Sequence, residues 1–238
     1  MFIGAATVAG LEHLRNTAPV PLEVPRLDPD GLVAGYGPPS FPEALASAES
    51  AVTDKRALLA LAPGEWLRIE GLGRALLARG QLTASAQDLL EANRVLAQAV
   101  AAAPWPAGPV LSRAGAALKV HDLPAAEQAL ARFDASVARP SALEAEEARG
   151  MRCEIAFERG DLRRARSLCG GGGGLGLALR RANLALAGGD AAGAARIVEE
   201  TLERSGHSPA QLSALMLQRA TIALATGDWA ASGQWARA

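Results

Sequence analysis

From Glu43 onward, apolar side chains recur three and four positions apart, broken by short stretches of glycine or proline. That spacing is the period of an amphipathic helix. No stretch alternates apolar with polar residues for long, so the chain offers little to build a strand. The pattern predicts an all-α fold of short helices joined by tight turns.

A short turn recurs along this region: Arg-Gly-Gln at 79–81, Val-His-Asp at 120–122, Arg-Gly-Asp at 159–161, Gly-Gly-Asp at 188–190 and Thr-Gly-Asp at 226–228. Taking the middle residue as origin, the anchors are Gly80, His121, Gly160, Gly189 and Gly227, separated by 41, 39, 29 and 38 residues. Seven positions before each anchor stands a small residue: Gly73, Ala114, Cys153, Ala182 and Ala220. Five positions after each stands another: Ser85, Ala126, Ala165, Ala194 and Ser232. Three positions before, the side chain is large and apolar: Leu77, Leu118, Phe157, Leu186 and Leu224.

This register has a physical reading. Two antiparallel helices approach closely only where small residues face each other on either side of the turn. Glycine in the turn takes the left-handed conformation that ends the first helix. The aspartate after it caps the second helix by accepting a backbone N–H.

These features resemble the tetratricopeptide repeat family, over roughly residues 63–238. Small residues on both helices and the Gly-Asp turn carry the resemblance, as do Pro104, Pro140 and Pro209 after three of the second helices. It implies a right-handed α-solenoid of antiparallel helical hairpins, whose groove, lined by the first helix of each hairpin, receives a partner protein or peptide. By offset from the turns, the matching groove positions are Glu70, Arg74, Leu118, Lys119, Glu154, Phe157, Glu158, Asn183, Leu186, Thr221 and Leu224. The alternative is a groove that stays empty or is filled by the chain's own proline-rich arm.

Three departures from the family pattern matter. Most intervals are longer than the family's, and Gly170–Gly174 cut short the second helix of the third hairpin. The large residue before the first small one is replaced by Arg113, Arg152, Arg181 and Arg219. A buried arginine without a partner is costly, so these pair with acids such as Glu147 and Glu154 or point outward.

Ahead of the helices, residues 17–42 hold seven of the 14 prolines. Prolines this dense exclude a helix interior or a central strand and predict an extended arm. The organisation is therefore an apolar segment (1–16), a proline-rich arm (17–42) and a repeat domain (43–238). Met1–Leu11 carries no charge, is too short to span a bilayer and lacks the basic leader of a signal peptide. It fits an apolar strand or helix turn and equally the tail end of a membrane anchor. A strict reading places the chain in the cytoplasm; the alternative is an inner-membrane anchor with the repeats facing the periplasm.

Composition narrows the function. With 24 basic and 25 acidic residues, net charge is −1, giving no electrostatic reason to expect nucleic acid. Lys55 and Lys119 are the only lysines, which reflects genome composition before function. Gly171, Gly173 and Gly176 satisfy G-x-G-x-x-G, but a charged helix rather than a strand precedes them and no lysine follows, so the stretch reads as a hinge. His13, His121 and His207 are isolated from one another, and the Glu144, Glu146 and Glu147 cluster sits at a helix start, where the dipole accounts for it. Cys153 and Cys169 flank the turn at Gly160 and read as buried small hydrophobes or as a disulfide, which needs an oxidising compartment. Nothing indicates an enzyme, a cofactor or a metal.

After Asp228 only WAASGQWARA remains, leaving Trp229 and Trp235 on an unfinished face where a second protein or second copy is expected. A cut in a longer protein is the alternative. The expected function is a scaffold or adaptor that holds a partner and supports assembly of a complex, with the cell envelope as a setting that the apolar segment and arm would suit. The alternative is the helical-repeat region of a larger regulator or enzyme.

Overall fold

The computed structural model describes residues 27–28, 31–32, 35–38, 40–104, 106–136, 139–171, 174–204 and 207–237. The apolar segment 1–16 and the arm up to residue 26 lie outside the described residues. Among the described residues the chain is all-helical, with eleven helices and no strand. It divides into two compact units, residues 38–155 and residues 1–37 with 156–238.

The first unit holds α1 (Phe41–Leu61), α2 (Trp66–Thr83), α3 (Ala86–Ala102), α4 (Val110–Lys119) and α5 (Leu123–Asp134), with most of α6 (Ala142–Glu158). Helix α1 begins inside the segment read as arm. Ser40 is its N-cap and Pro42 lies in the first turn, where the missing N–H would have had no acceptor anyway. One core gathers Val52 of α1, Ile69, Leu72 and Leu76 of α2, and Ala92, Val95 and Ala99 of α3. A second gathers Ala114, Ala117 and Leu118 of α4, Ala126, Ala129 and Leu130 of α5, and Ala148, Met151 and Ile155 of α6.

The second unit holds α7 (Leu162–Cys169), α8 (Leu175–Ala187), α9 (Ala191–Leu202), α10 (Pro209–Ala225) and α11 (Trp229–Arg237). Its core joins Ala182 of α8, Ala194, Ala195 and Val198 of α9, Leu212, Leu215 and Ile222 of α10 and Trp235 of α11. Helix α10 starts in a reciprocal cap. The Ser208 hydroxyl accepts the Gln211 N–H, and the Gln211 side chain accepts the Ser208 N–H at 2.9 Å. Part of the arm belongs to this unit. Leu27 and Leu32 pack against its core, and the Gly35 N–H donates to the His207 carbonyl at 2.8 Å. The Tyr36 hydroxyl donates to Gln211 Oε1 at 3.2 Å.

Five turns share one hydrogen-bond pattern. The N–H of Ser85, Asp122, Asp161, Asp190 and Asp228 reaches back five residues to the carbonyl of Gly80, Ala117, Ala156, Ala185 and Ala223, at 2.9–3.1 Å. This is the Schellman closure, with the residue before each donor at positive φ: Ala84 at 54°, His121 at 57°, Gly160 at 77°, Gly189 at 84° and Gly227 at 79°. The same Asp or Ser then caps the following helix, as in Asp190 accepting the Gly193 N–H at 2.7 Å.

That pattern corrects the first anchor. The bend lies at Ala84, not Gly80, and Ser85 is a cap rather than a packing residue. Gly80 is buried inside α2, where a Cβ would stand 2.9 Å from Leu89 Cδ2. In the corrected register the residue four before each bend is always small: Gly80, Ala117, Ala156, Ala185, Ala223. Leu89 stands where other hairpins place Ala126, Ala165 and Ala194, so glycine opposite it restores the room that leucine takes.

Left-handed backbone costs an L-residue about 1–2 kcal/mol, while glycine's extra freedom in the unfolded chain costs about 0.4–1. Ala84→Gly is therefore expected to raise the unfolding free energy by about 0.5–1 kcal/mol in urea denaturation. A loss of stability would contradict the assigned bend.

Candidate partner-binding surface

The eleven positions expected to line a groove fall in both units. In residues 38–155, Glu70 and Arg74 form an i,i+4 pair at 3.7 Å on α2. Lys119 is exposed at the end of α4, and Glu154 is half-buried on α6. Leu118 is not a groove residue. It is 3% exposed and packs among Ala114, Ala126 and Leu130, because α4 is only ten residues long and its last turn lies over α5.

In the second unit, Phe157 is half-buried and Glu158 exposed, both at the end of α6. Leu186 packs against the core. Asn183 of α8 accepts a hydrogen bond from the Gln218 amide of α10 at 2.8 Å, which joins the first helices of two successive hairpins. Thr221 is exposed and its hydroxyl turns back to the Leu217 carbonyl at 2.9 Å. Leu224 is 46% exposed and Leu217, not foreseen, 64%.

These belong to a single row. Ala210, Ser213, Leu217, Thr221 and Leu224 recur at three- and four-residue spacing along α10, and all are exposed. The row carries no charge. Arg219 is the sole charged residue of α10, and it is buried. The solvent side of a surface helix is ordinarily its charged side. Gln218 borders the row toward α8, and the thread that sequence reading missed was the absence of charge from a whole helical face.

The two tryptophans part company. Trp229 opens α11 at 73% exposure. Trp235 does not face outward. It is 5% exposed within the core, with the Arg219 guanidinium 5.7 Å from its ring centroid. Cys153 and Cys169 are both buried, and both are disulfide-bonded rather than free.

Three of the four in-register arginines, Arg113, Arg152 and Arg219, find partners other than Glu147 and Glu154. Arg113 of α4 donates to Asn93 of α3, with Asp122 3.9 Å away. Arg152 of α6 donates to Asp134 of α5 at 2.7 Å. Arg219 of α10 donates to Glu199 of α9 at 2.7 Å. Each of the three thus reaches the second helix of the hairpin before it. Arg181 of α8 donates to the Gly171 carbonyl at 3.3 Å.

Two ion pairs with similar distances behave in opposite ways. Arg79 meets Asp88 through both carboxylate oxygens at 2.7 Å. That hydrogen bonding holds the Asp88 carboxyl below its ordinary value and the Arg79 guanidinium above its own. The stability this gives is complete above about pH 4 and fades as pH falls through the depressed folded value. Glu199 meets Arg219 through Oε1 only, and its buried Oε2 has no partner. Burial therefore pushes Glu199 up, the Arg219 bond and charge oppose it, and Glu203 adds to the rise.

No group of three His, Cys, Asp or Glu that could hold a metal occurs among the described residues. No helix among them is long and apolar enough to cross a membrane. No family model and no curated protein matches the chain. Among solved structures it is similar to the crystal structure of BtubC (BKLC) from P. vanneervenii, at 15% identity and a TM-score of 0.45, covering 83% of this chain and 89% of that one.

A carboxyl raised by folding gives stability that is complete below about pH 4.3 and lost as pH climbs through the folded value. Removing Arg219 leaves burial of Glu199 unopposed. Arg219→Met is thus expected to lose more stability than the parent between pH 5 and pH 8 in urea melts, and Arg219→Met/Glu199→Gln to lose the extra slope. Parallel pH profiles for parent and Arg219→Met would contradict the pairing.

Proposed function

We propose that this chain is a right-handed α-solenoid of tetratricopeptide-like hairpins that acts as a scaffold, holding a partner protein or peptide and supporting assembly of a complex. The observation that carries the reading is the uncharged row on α10, Ala210, Ser213, Leu217, Thr221 and Leu224, all exposed on a helix whose other side is fully packed. Leu217 at 64% and Leu224 at 46% exposure together forgo about 2–3 kcal/mol that full burial would return. A partner helix or extended segment laid along the row recovers that energy, and Gln218 and Asn183 supply polar groups at its edge.

The fold suits this use. Three arginines tie first helices to the hairpins before them, and the Asn183–Gln218 bond braces α8 against α10. A braced surface loses little freedom on binding, which favours affinity without any moving part. The proline-rich arm contributes to the same unit through Leu27 and Leu32, while the α10 row stays open.

The test is capture on the immobilised full chain, identification of bound proteins by mass spectrometry, and calorimetry with the purified partner. Leu217→Asp/Leu224→Asp is expected to weaken binding by more than about tenfold, since the two apolar contacts together exceed the 1.4 kcal/mol of one decade. Both positions are exposed, so thermal melts should match the parent. Undiminished binding by the double variant would remove the row from the function.

A further inference from the structure

Charge is unevenly placed in this nearly neutral chain. Residues 159–181 carry Arg159, Arg163, Arg164, Arg166, Arg180 and Arg181 against one acid, Asp161. That acid is occupied, since its carboxylate accepts the Arg164 N–H at 3.0 Å to cap α7. From residue 156 to 238 ten arginines meet seven acids, whereas the whole chain is at −1.

Two of these arginines face a cleft of about 340 Å³ in the second unit, Arg166 from α7 and Arg181 from α8, with Leu184 and Ala185 of α8 as its apolar floor. Arg166 reaches the end of α8, its Nη2 3.1 Å from where a Cβ on Gly188 would sit. A cation is favoured beside a helix C-terminus, which accounts for its position. Yet the Arg166 guanidinium makes no hydrogen bond or ion pair with any described residue, so its fork of donors is left for something else. Arg181 is steadied by its bond to the Gly171 carbonyl at 3.3 Å. Asp190 also borders the cleft, with Oδ1 committed to the Gly193 N–H at 2.7 Å. Among the described residues that border the cleft, Arg166 is thus the guanidinium placed to meet an anion.

We propose that this cleft takes a carboxylate side chain from an acidic segment of the partner protein, a reading that rests on the scaffold function above. A planar guanidinium pairs with a carboxylate through two parallel hydrogen bonds, and the apolar floor suits the methylenes of a glutamate. Among the described residues no aromatic ring lines the cleft, so it gives no platform on which a base stacks, and a chain of net charge −1 lacks the broad basic face a phosphate backbone needs. The acidic segment and the α10 row then hold two parts of one partner within the same unit.

The probe is a fluorescein-labelled peptide of alternating Glu and Ala, followed by anisotropy with the full chain at low and moderate salt, beside the same peptide with Gln for Glu. The Glu peptide is expected to bind and the Gln peptide not. Arg166→Gln should weaken binding about tenfold, as loss of a charged hydrogen-bonded pair does. Arg166→Gln/Arg181→Gln should abolish it, and Arg196→Gln, an exposed arginine of α9, should leave it unchanged. Circular-dichroism melts report whether Arg166→Gln remains folded. Equal loss with Arg196→Gln, equal binding of the Gln peptide, or displacement by a poly-dT oligonucleotide at lower concentration than the peptide's would overturn the proposal. Partner capture that depends on Leu217 without any Glu-peptide binding overturns the cleft alone. Glu-peptide binding without any captured partner leaves the cleft standing and removes the scaffold reading.

Discussion

Helix-to-helix distance across each bend is the constraint from which the rest follows. The Schellman closure returns the chain directly beside itself, so the residues near the bend face the opposite helix with almost no room between them. Small side chains fill this contact, with Ala114, Ala126, Ala182 and Ala194 each fully buried, and where Leu89 takes one side Gly80 stands opposite it. Alanine is also the best helix former, so the same residue serves both the local and the tertiary requirement. A chain with only 4% aromatics builds its core this way, through many close backbone contacts in place of a few large side chains.

Close packing within a hairpin leaves the contact between hairpins to be specified separately. Arg113, Arg152 and Arg219 do this, each crossing to the second helix of its predecessor. Their surroundings differ in kind. Arg152 meets Asp134 near the surface, whereas Arg219 and Glu199 are both buried and Trp235 covers the guanidinium. A buried pair of this sort adds little net stability but penalises any register that would separate the charges. It also explains how a helix as apolar as α10 keeps its one charge inside and presents an uncharged face to solvent.

The helical period, the bends at His121, Gly160, Gly189 and Gly227, and the aspartate caps were legible in the sequence because each depends on residues a few positions apart. The first bend was not. Arg-Gly-Gln imitates the turn, while the true bend at Ala84 lacks the glycine that would announce it. Long-range facts were hidden as well. Nothing local shows that Arg219 turns inward to Glu199, or that Trp235 sits beneath it instead of on an open face. Leu118 obeys the same offset rule as Leu224, yet one lies in the core and the other at the surface, because the length of each helix and its neighbours decide exposure. The α10 row was half visible through Thr221 and Leu224. Its meaning came from Leu217 and from the missing charges, which only a known helix boundary turns into a face.

One pair of substitutions tests the packing argument on a single helix. Ala194 is fully buried at the hairpin contact of α9, and Ala192, two residues earlier, is exposed. Leucine and alanine differ little in helix propensity, so Ala192→Leu should leave urea unfolding nearly unchanged. Ala194→Leu must push α8 and α9 apart and should cost about 1–3 kcal/mol. Equal stability of the two variants would contradict the account.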